Sequence, residues 1–500
     1  MSHALPSGPA LARVQSFAFA GIDAVPVTVE VQISSGLPAL LVVGLADKAV
    51  AEARERVRAA LGALGIVLPP KRILINLVPA DLLKEGSHFD LPIALAILIG
   101  MGLIPPETGE RYAAMGELSL DGRLNPVAGV LSAALGAFRA QTGLICPRAQ
   151  GGEARWAGPD LSVMAAPDLR SLIAHLRGEA LLEEGPEPEP PFETASLDLS
   201  DVREMALGRR ALEIAAAGGH NLLFSGPPGA GKSMLAARLP GVLPDLTREQ
   251  MLETTRIHGA CGHLHGDRPI TRPPYRDPHH SASLAALVGG GAKSRPGEVS
   301  LAHNGVLFLD EFPEFSRQAL EALRQPIETG RISVARAAQI VQYPAQFQLV
   351  AAMNPCRCGH LGDLERACRK APRCGEEYTA RLSGPMLDRI DLFAEIQPVS
   401  PIAISRAVAG ESSAAVRARV EAARARQIGR QGHSNARADP SGFAIDETAR
   451  EMAEQAGTRL RLSARGLTRL LRVARTIADM AADDSITRLH MAEALSFRRR

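Results

Sequence analysis

Five hundred residues exceed one ordinary domain and predict two to four. A chain that is 46% apolar and 22% charged can fill several cores, which excludes wholesale disorder. The net charge of +2, from 56 basic and 54 acidic residues, excludes a polybasic nucleic-acid coat, and six cysteines in this length exclude a disulfide scaffold.

Met1 to Gly21 lacks a basic start followed by an apolar core, so no secretory signal is expected. The longest uncharged apolar run, Leu91 to Ile104, is too short to span a bilayer and carries Pro92. The expectation is a soluble, cytoplasmic protein with no membrane partner. Val25 to Ile33 alternates apolar and polar residues, the period of a half-buried strand. Ala46 to Leu64 reads as a helix with Val50, Val57 and Leu61 on its apolar side. Ile73 to Val78 is a short buried strand and Pro92 to Gly100 an apolar helix. Met115 to Leu120 and Arg123 to Pro126 flank Asp121-Gly122, which predicts a hairpin. Residues 179–201 hold eight acids, no Lys or Arg, and four prolines from Pro186 to Pro191, the composition of an extended linker. The linker separates an N-terminal block, 1–178, from a middle block, 202–398. A weaker seam near Pro398 sets off a helical, Arg-rich block, 399–500.

In the middle block, Asn221 to Ser225, Val306 to Leu309 and Phe347 to Ala352 are short apolar strands between helical stretches, which predicts an α/β parallel sheet. Gly226-Pro227-Pro228-Gly229-Ala230-Gly231-Lys232-Ser233 fits G-x-x-x-x-G-K-[ST] between a buried strand and a helix. Glycines let backbone N–H groups close around phosphates, and the helix N-terminus adds a field that favours anions. Lys232 is expected to reach the β- and γ-phosphates of ATP and Ser233 to hold Mg²⁺. The strand Val306 to Leu309 ends in Asp310-Glu311. Asp310 is the expected second Mg²⁺ group, and Glu311 the general base for the attacking water.

These residues, with Arg210 to Asn221, Pro278-His279-His280-Ser281 and Pro296 to Gly305, resemble the AAA+ ATPases of the magnesium-chelatase-like group, and more narrowly the ComM/YifB type. The resemblance implies an AAA+ domain with a parallel sheet and a helical lid. It puts Asn354 at the first sensor, which orients the attacking water, and Arg389 at the arginine finger, which acts on a neighbouring subunit's ATP. Arg465 matches the second sensor, at the start of a lid helix. A finger acting between subunits implies a homo-hexamer.

Two β-prone flanks, Arg331 to Ala335 and Gln339 to Tyr343, predict a hairpin with Arg336 at its tip. By resemblance it faces the central pore and contacts DNA, as does an element within His258 to Ser300 that carries Lys293 and Arg295. Cys261 to His265 could ligate metal, although a polar loop is the simpler reading. Residues 401–500 hold 18 Arg against 11 acids, and Arg465, Arg469, Arg472 and Arg475 recur at helical spacing. They form either a phosphate-tracking stripe or a solvated face. Cys356, Cys358, Cys368 and Cys374 follow Asn354 as C-x-C-x₉-C-x₅-C. Four thiolates suit a structural Zn²⁺, with His360 as another candidate for the fourth ligand and free thiols as the alternative.

Residues 17–145 resemble a Lon-protease-like α+β domain through Gly116 to Val130. His88 stands at the nucleophile's position and Leu131 at the lysine's, so proteolysis is not expected. The expected function is an ATP-hydrolysing motor on single-stranded or branched DNA, with helicase or branch-migration activity in recombination of incoming DNA. The alternative is a chelatase-type motor that remodels a protein partner.

Overall fold

The computed structural model describes residues 11–45, 47–183, 197–264, 268–291, 295–336, 339–361, 368, 370–400, 402 and 408–498. The central part of the acidic linker, His265 and Lys293 lie outside these residues, as does the side chain of Arg336. The described residues of 1–192 with those of 251–270 form one compact unit, and those of 193–250 with 271–500 form a second.

In the first unit, β1 (Leu11–Ala20), β2 (Asp23–Ser34), β3 (Ala39–Val43), β4 (Arg72–Val78) and β5 (Tyr112–Ala114) are followed by a small hairpin, β6 (Glu117–Leu118) and β7 (Leu124–Asn125). Then come β8 (Gly143–Pro147) and β9 (Val163–Ala166). The sheet runs in the order β3-β4-β2-β1-β5-β8-β9, antiparallel around β2 and parallel elsewhere. The alternation in β2 buries Val27, Val29 and Val31. The helix Lys48–Ala63 starts on Asp47, whose carboxylate accepts from Val50 N at 2.8 Å, and it buries Val50, Ala53, Val57, Ala60 and Leu61. The Asp121-Gly122 turn joins β6 to β7, where Ser119 N donates to Arg123 O at 3.0 Å. Residues 251–270 belong to this unit: Arg256 donates to Ile22 O at 2.6 Å and to Asp23 Oδ1 at 2.7 Å.

The second unit is built on β10 (Leu222–Ser225), β11 (Tyr275–Arg276), β12 (Val306–Leu309), β15 (Gln348–Met353) and β16 (Leu392–Glu395). They pair in parallel in the order β11-β12-β15-β10-β16. A separate antiparallel ribbon pairs β13 (Arg331–Arg336) with β14 (Gln339–Pro344), so the expected hairpin is present. The helix Ala206–Gly218 ends at Gly219 in the left-handed conformation (φ 72°). Its last carbonyls find side-chain donors: Gln348 to Ala215 O at 2.9 Å, Arg424 to Ala216 O at 2.7 Å and Gln427 to Ala217 O at 3.1 Å. One apolar core joins the sheet to the C-terminal helices, through Phe224, Val350 and Leu392 on one side and Val420, Leu470, Val473 and Phe497 on the other. Among the described residues no helix is long and apolar enough to cross a membrane.

The arginine stripe is not a free surface. On the helix Ala464–Ala481, Arg469 is buried and donates to Asp388 Oδ1 at 3.1 Å, and Arg472 donates to Ala438 O at 2.7 Å. Arg475, 2% exposed, bonds Asp479, itself 1% exposed, at 2.9 Å. Asp479 also receives Arg430 at 2.8 and 2.9 Å and Asn435 Nδ2 at 2.8 Å. Helical spacing aligned these arginines, but their acid and carbonyl partners turn three of them inward.

Burial alone would raise the Asp479 carboxyl, yet Arg430, Asn435 and Arg475 together hold it below the usual carboxylate range. Its contribution is therefore complete above the unfolded pKa of about 3.9 and is lost as pH falls further. Asp479→Ala leaves buried cations unpaired and should cost about 3–5 kcal/mol, read from urea unfolding at pH 7. A loss under ~1 kcal/mol would mean that the arginines find other partners.

Candidate nucleotide site

The parallel register decides what meets at the C-terminal edge of the second sheet. Ser225 lies level with Met353, and Leu309 with Ala351. The residues that follow these strands, Gly226, Asp310 and Asn354, therefore emerge side by side, where ligands collect in such sheets. At Gly226 a Cβ would stand 2.3 Å from the Ile396 carbonyl oxygen, and Gly231 sits at φ 82°, so both positions need glycine. Pro227, Pro228, Gly229 and Ala230 form the arc between them, ahead of the helix Lys232–Ala236.

Lys232 is buried, and its Nζ donates to Gly226 O at 2.7 Å, Pro227 O at 2.9 Å and Asn354 Oδ1 at 3.1 Å. Burial lowers its pKa, opposed by Asp310. Ser233 Oγ lies 2.6 Å from Asp310 Oδ2. A hydroxyl and a carboxylate at this distance are the oxygen donors that Mg²⁺ takes alongside phosphate and water, so the residues fit the ion.

Glu311 has a left-handed backbone (φ 50°, ψ 44°), and its N–H donates to Asp310 Oδ1 at 2.8 Å. Such a conformation costs a non-glycine residue on the order of 1–3 kcal/mol and turns the side chain off the strand. The Glu311 carboxylate is half exposed, 3.1 Å from His280 Nδ1. The sequence contained His280 within Pro-His-His-Ser but carried no sign of this pairing.

Arg389 and Arg465 lie elsewhere. Asn221, at the N-terminal end of β10, donates from Nδ2 to Arg389 O at 2.8 Å. The four residues of β10 separate Asn221 from Gly226, five residue steps or about 16 Å at ~3.3 Å per residue. Arg389 Nη2 reaches Glu328 Oε1 at 2.5 Å, and Arg465 Nη1 lies 3.9 Å from the same oxygen. Burial, together with the Arg324 and Arg465 charges, lowers the Arg389 pKa, against the opposing pull of Glu328. The two arginines thus gather at one carboxylate, on the opposite sheet edge from their own phosphate loop.

The four cysteines converge. The sulfurs of Cys356, Cys358, Cys368 and Cys374 all lie within 4.8 Å of one another, and Cys356 Sγ to Cys358 Sγ is 3.2 Å. Tetrahedral Zn²⁺ with ~2.3 Å bonds needs sulfurs about 3.8 Å apart, so the group fits the ion after small shifts. A hydrogen bond from the His360 N–H, aided by the neighbouring thiols, pulls Cys358 down to about 7. Among the described residues this is the one group of His, Cys, Asp or Glu spaced for a metal, and Cys261 is not part of it.

Three family models match the chain: magnesium chelatase subunit ChlI over residues 198–404, subunit ChlI of Mg-chelatase over 29–150, and the ChlI C-terminal region over 410–498. The uncharacterized protein YifB of Escherichia coli K12 is 46% identical over 495 residues, covering 98% of this chain and 97% of the relative. Competence protein ComM of Haemophilus influenzae is 43% identical over 499 residues, with the same coverage. An uncharacterized Mycobacterium tuberculosis protein is 44% identical over 500 residues, covering 98% and 99%. The chain belongs to the YifB/ComM-type, magnesium-chelatase-like AAA+ proteins.

As a YifB/ComM-type protein it carries the AAA+ architecture of ATP hydrolysis, and the resemblance read from the phosphate loop and the Pro-His-His-Ser and Pro-Gly-Glu segments holds over nearly the whole chain. Lys232→Ala removes the buried cation that faces the loop. The affinity for a fluorescent ATP analogue should fall about tenfold or more, as expected for charged hydrogen bonds. Equal affinity in wild type and variant would assign phosphate binding to the backbone alone.

Proposed function

We propose that the chain is an ATP-hydrolysing ring motor, a homo-hexamer of the cytoplasm, that translocates on DNA and drives branch migration or unwinding when incoming DNA recombines. One observation carries the ring: the phosphate loop lies at one edge of the parallel sheet, while Arg389 and Arg465 gather at Glu328 on the other. A finger whose backbone carbonyl is tied to Asn221, about 16 Å along the strand from Gly226, is suited to a neighbour's nucleotide. DNA as the substrate is supported by the 43% identity to competence protein ComM and by the β13–β14 hairpin, whose turn follows Arg336.

In this reading Gly226 to Ser233 cradle the phosphates and Lys232 exchanges its carbonyl partners for phosphate oxygens. Ser233 and Asp310 hold Mg²⁺, which when bound neutralises charge on the β- and γ-phosphates. Glu311 takes the proton of the attacking water, Asn354 orients that water, and Arg389 with Arg465 stabilises transition-state charge on the neighbouring subunit's ATP. The four cysteines hold a structural Zn²⁺. The N-terminal unit is a Lon-protease-like domain without protease chemistry. Its buried His88 lies 2.9 Å from Phe17 O and is pushed down to about 4 by burial, while Leu131 is buried. Lys84 points to Pro79 O and Ser87 to Glu117, so neither supplies a dyad. The chelatase family models support a second reading, a motor that remodels a protein partner.

Glu311→Gln should bind ATP while turnover falls by about 10²–10⁴, and Arg389→Ala should lose about 10³–10⁵. Mixing the two inactive variants rebuilds complete sites between subunits and should restore part of the ATPase rate; a mixture as inactive as its components would place the finger within one chain. Single-stranded or branched DNA should raise the wild-type rate in a strongly salt-dependent way. A rate indifferent to DNA would favour the protein-remodelling motor.

A further inference from the structure

The segment that carries the first two cysteines touches the nucleotide machinery twice. Asn354, two residues before Cys356, accepts from Lys232 Nζ at 3.1 Å. Gly359, one residue after Cys358, packs on the phosphate loop: a Cβ there would stand 2.5 Å from Pro228 Cδ and 2.6 Å from Cγ. The turn between them closes with Gly359 N donating to Cys356 O at 2.9 Å, and Gly359 sits at φ 81°. Cys356 and Cys358 are thus bracketed by contacts to Lys232 and Pro228. The other two cysteines come from a separate turn and helix start, where Ala371 N donates to Cys368 O at 3.0 Å and Cys374 N to Lys370 O at 3.0 Å. Gly375 lies close against the first segment, since a Cβ there would stand 2.6 Å from Leu361 Cδ2 and 3.1 Å from Pro355 O. A metal bonded to all four sulfurs would lock the two segments into one body, with Asn354 and Gly359 on its nucleotide side.

We propose that metal occupancy at the four cysteines and nucleotide occupancy at the phosphate loop are thermodynamically coupled through the turn Cys356 to Gly359. The proposal rests on reading the cluster as a zinc site. Bound Zn²⁺ holds Gly359 against Pro228 and Asn354 at Lys232, so the loop keeps the shape that receives phosphates. By linkage, a nucleotide that stabilises this loop must tighten metal binding by the same factor, about 5–150-fold for typical couplings. The four thiols are then a structural tether and a means by which zinc supply sets the motor's affinity for ATP.

The test uses the full-length protein. Elemental analysis should find about one zinc per chain, as four thiolates predict; its absence from protein purified with zinc present sinks the zinc reading and the coupling with it. With zinc present, its release to a chromogenic chelator should slow severalfold when ADP or a non-hydrolysable ATP analogue is added. Conversely, zinc-stripped protein should bind a fluorescent nucleotide more weakly by a matching factor. Equal release with and without nucleotide overturns the coupling and leaves the zinc site standing. Two variants guard the interpretation. Lys232→Ala should retain zinc, and the nucleotide concentration that slows its release should rise in step with the variant's weakened nucleotide affinity; slowing that ignores this change in affinity would mean that nucleotide acts in solution and would overturn the proposal. Gly359→Ala should retain zinc but bind nucleotide more weakly, because the added methyl meets Pro228; unchanged nucleotide affinity there would break the proposed route.

Discussion

The parallel pairing of β10 between β15 and β16 is the constraint on which the site depends. Parallel strands send all their C-terminal ends to one edge, so a loop, an acid pair and a polar sensor from distant stretches of sequence meet there. Asn221 anchors the other edge. Its side chain donates to Arg389 O and accepts from Leu349 N, while its backbone exchanges bonds with Asp391. One residue thus ties the starts of three strands together and fixes where the Arg389 segment enters the sheet. The sheet has two chemically different edges, one with the glycine-rich loop and Lys232 and one with Arg389, and that polarity is what the proposed ring of identical subunits would use.

The arginine excess of the C-terminal hundred residues serves structure before it serves any partner. Arg475 and Arg430 converge on Asp479, Arg469 reaches Asp388, and Arg424 covers the Ala216 carbonyl near the end of the helix Ala206–Gly218. A guanidinium suits these places because its planar fork can satisfy several acceptors at once and keeps its charge when buried. Arg465, 73% exposed, is the member of the stripe that remains outward. A net positive charge counted over sequence is therefore a poor measure of the basic surface left for a nucleic acid.

What was legible in the sequence was local. The phosphate loop, the strand ending in Asp310-Glu311 and the hairpin around Asp121-Gly122 are each defined by residues close in the chain, so pattern and turn chemistry sufficed. Features that need distant partners were not legible. Helical spacing aligned Arg465 to Arg475, yet Asp388 and Ala438, far off in sequence, decide which arginines turn inward. Residues 251–270 sit within a stretch that reads as ATPase, but Arg256 bonds Asp23, 233 positions away, and Ser132. The four cysteines were legible as a candidate zinc set, but that two separate segments bring their sulfurs together is visible only in the fold. The pairing of His280 with Glu311 likewise joins two strand ends that no sequence period connects.

The bonds of Lys232 set the terms on which a nucleotide enters. A buried ammonium must be satisfied, and here two loop carbonyls and Asn354 do so. A triphosphate has to replace those partners, so binding exchanges neutral acceptors for charged ones, and the gain is the difference between the two sets. In the proposed reading the exchange also frees Asn354 Oδ1 to orient water once phosphate has taken the lysine. Glu311 has its own hold, the nearby His280, and a strained backbone that the sheet must support. In that reading binding and hydrolysis are separated by side-chain exchanges within one sheet edge, a separation a motor needs if each ATP is to be spent on one step rather than hydrolysed on arrival.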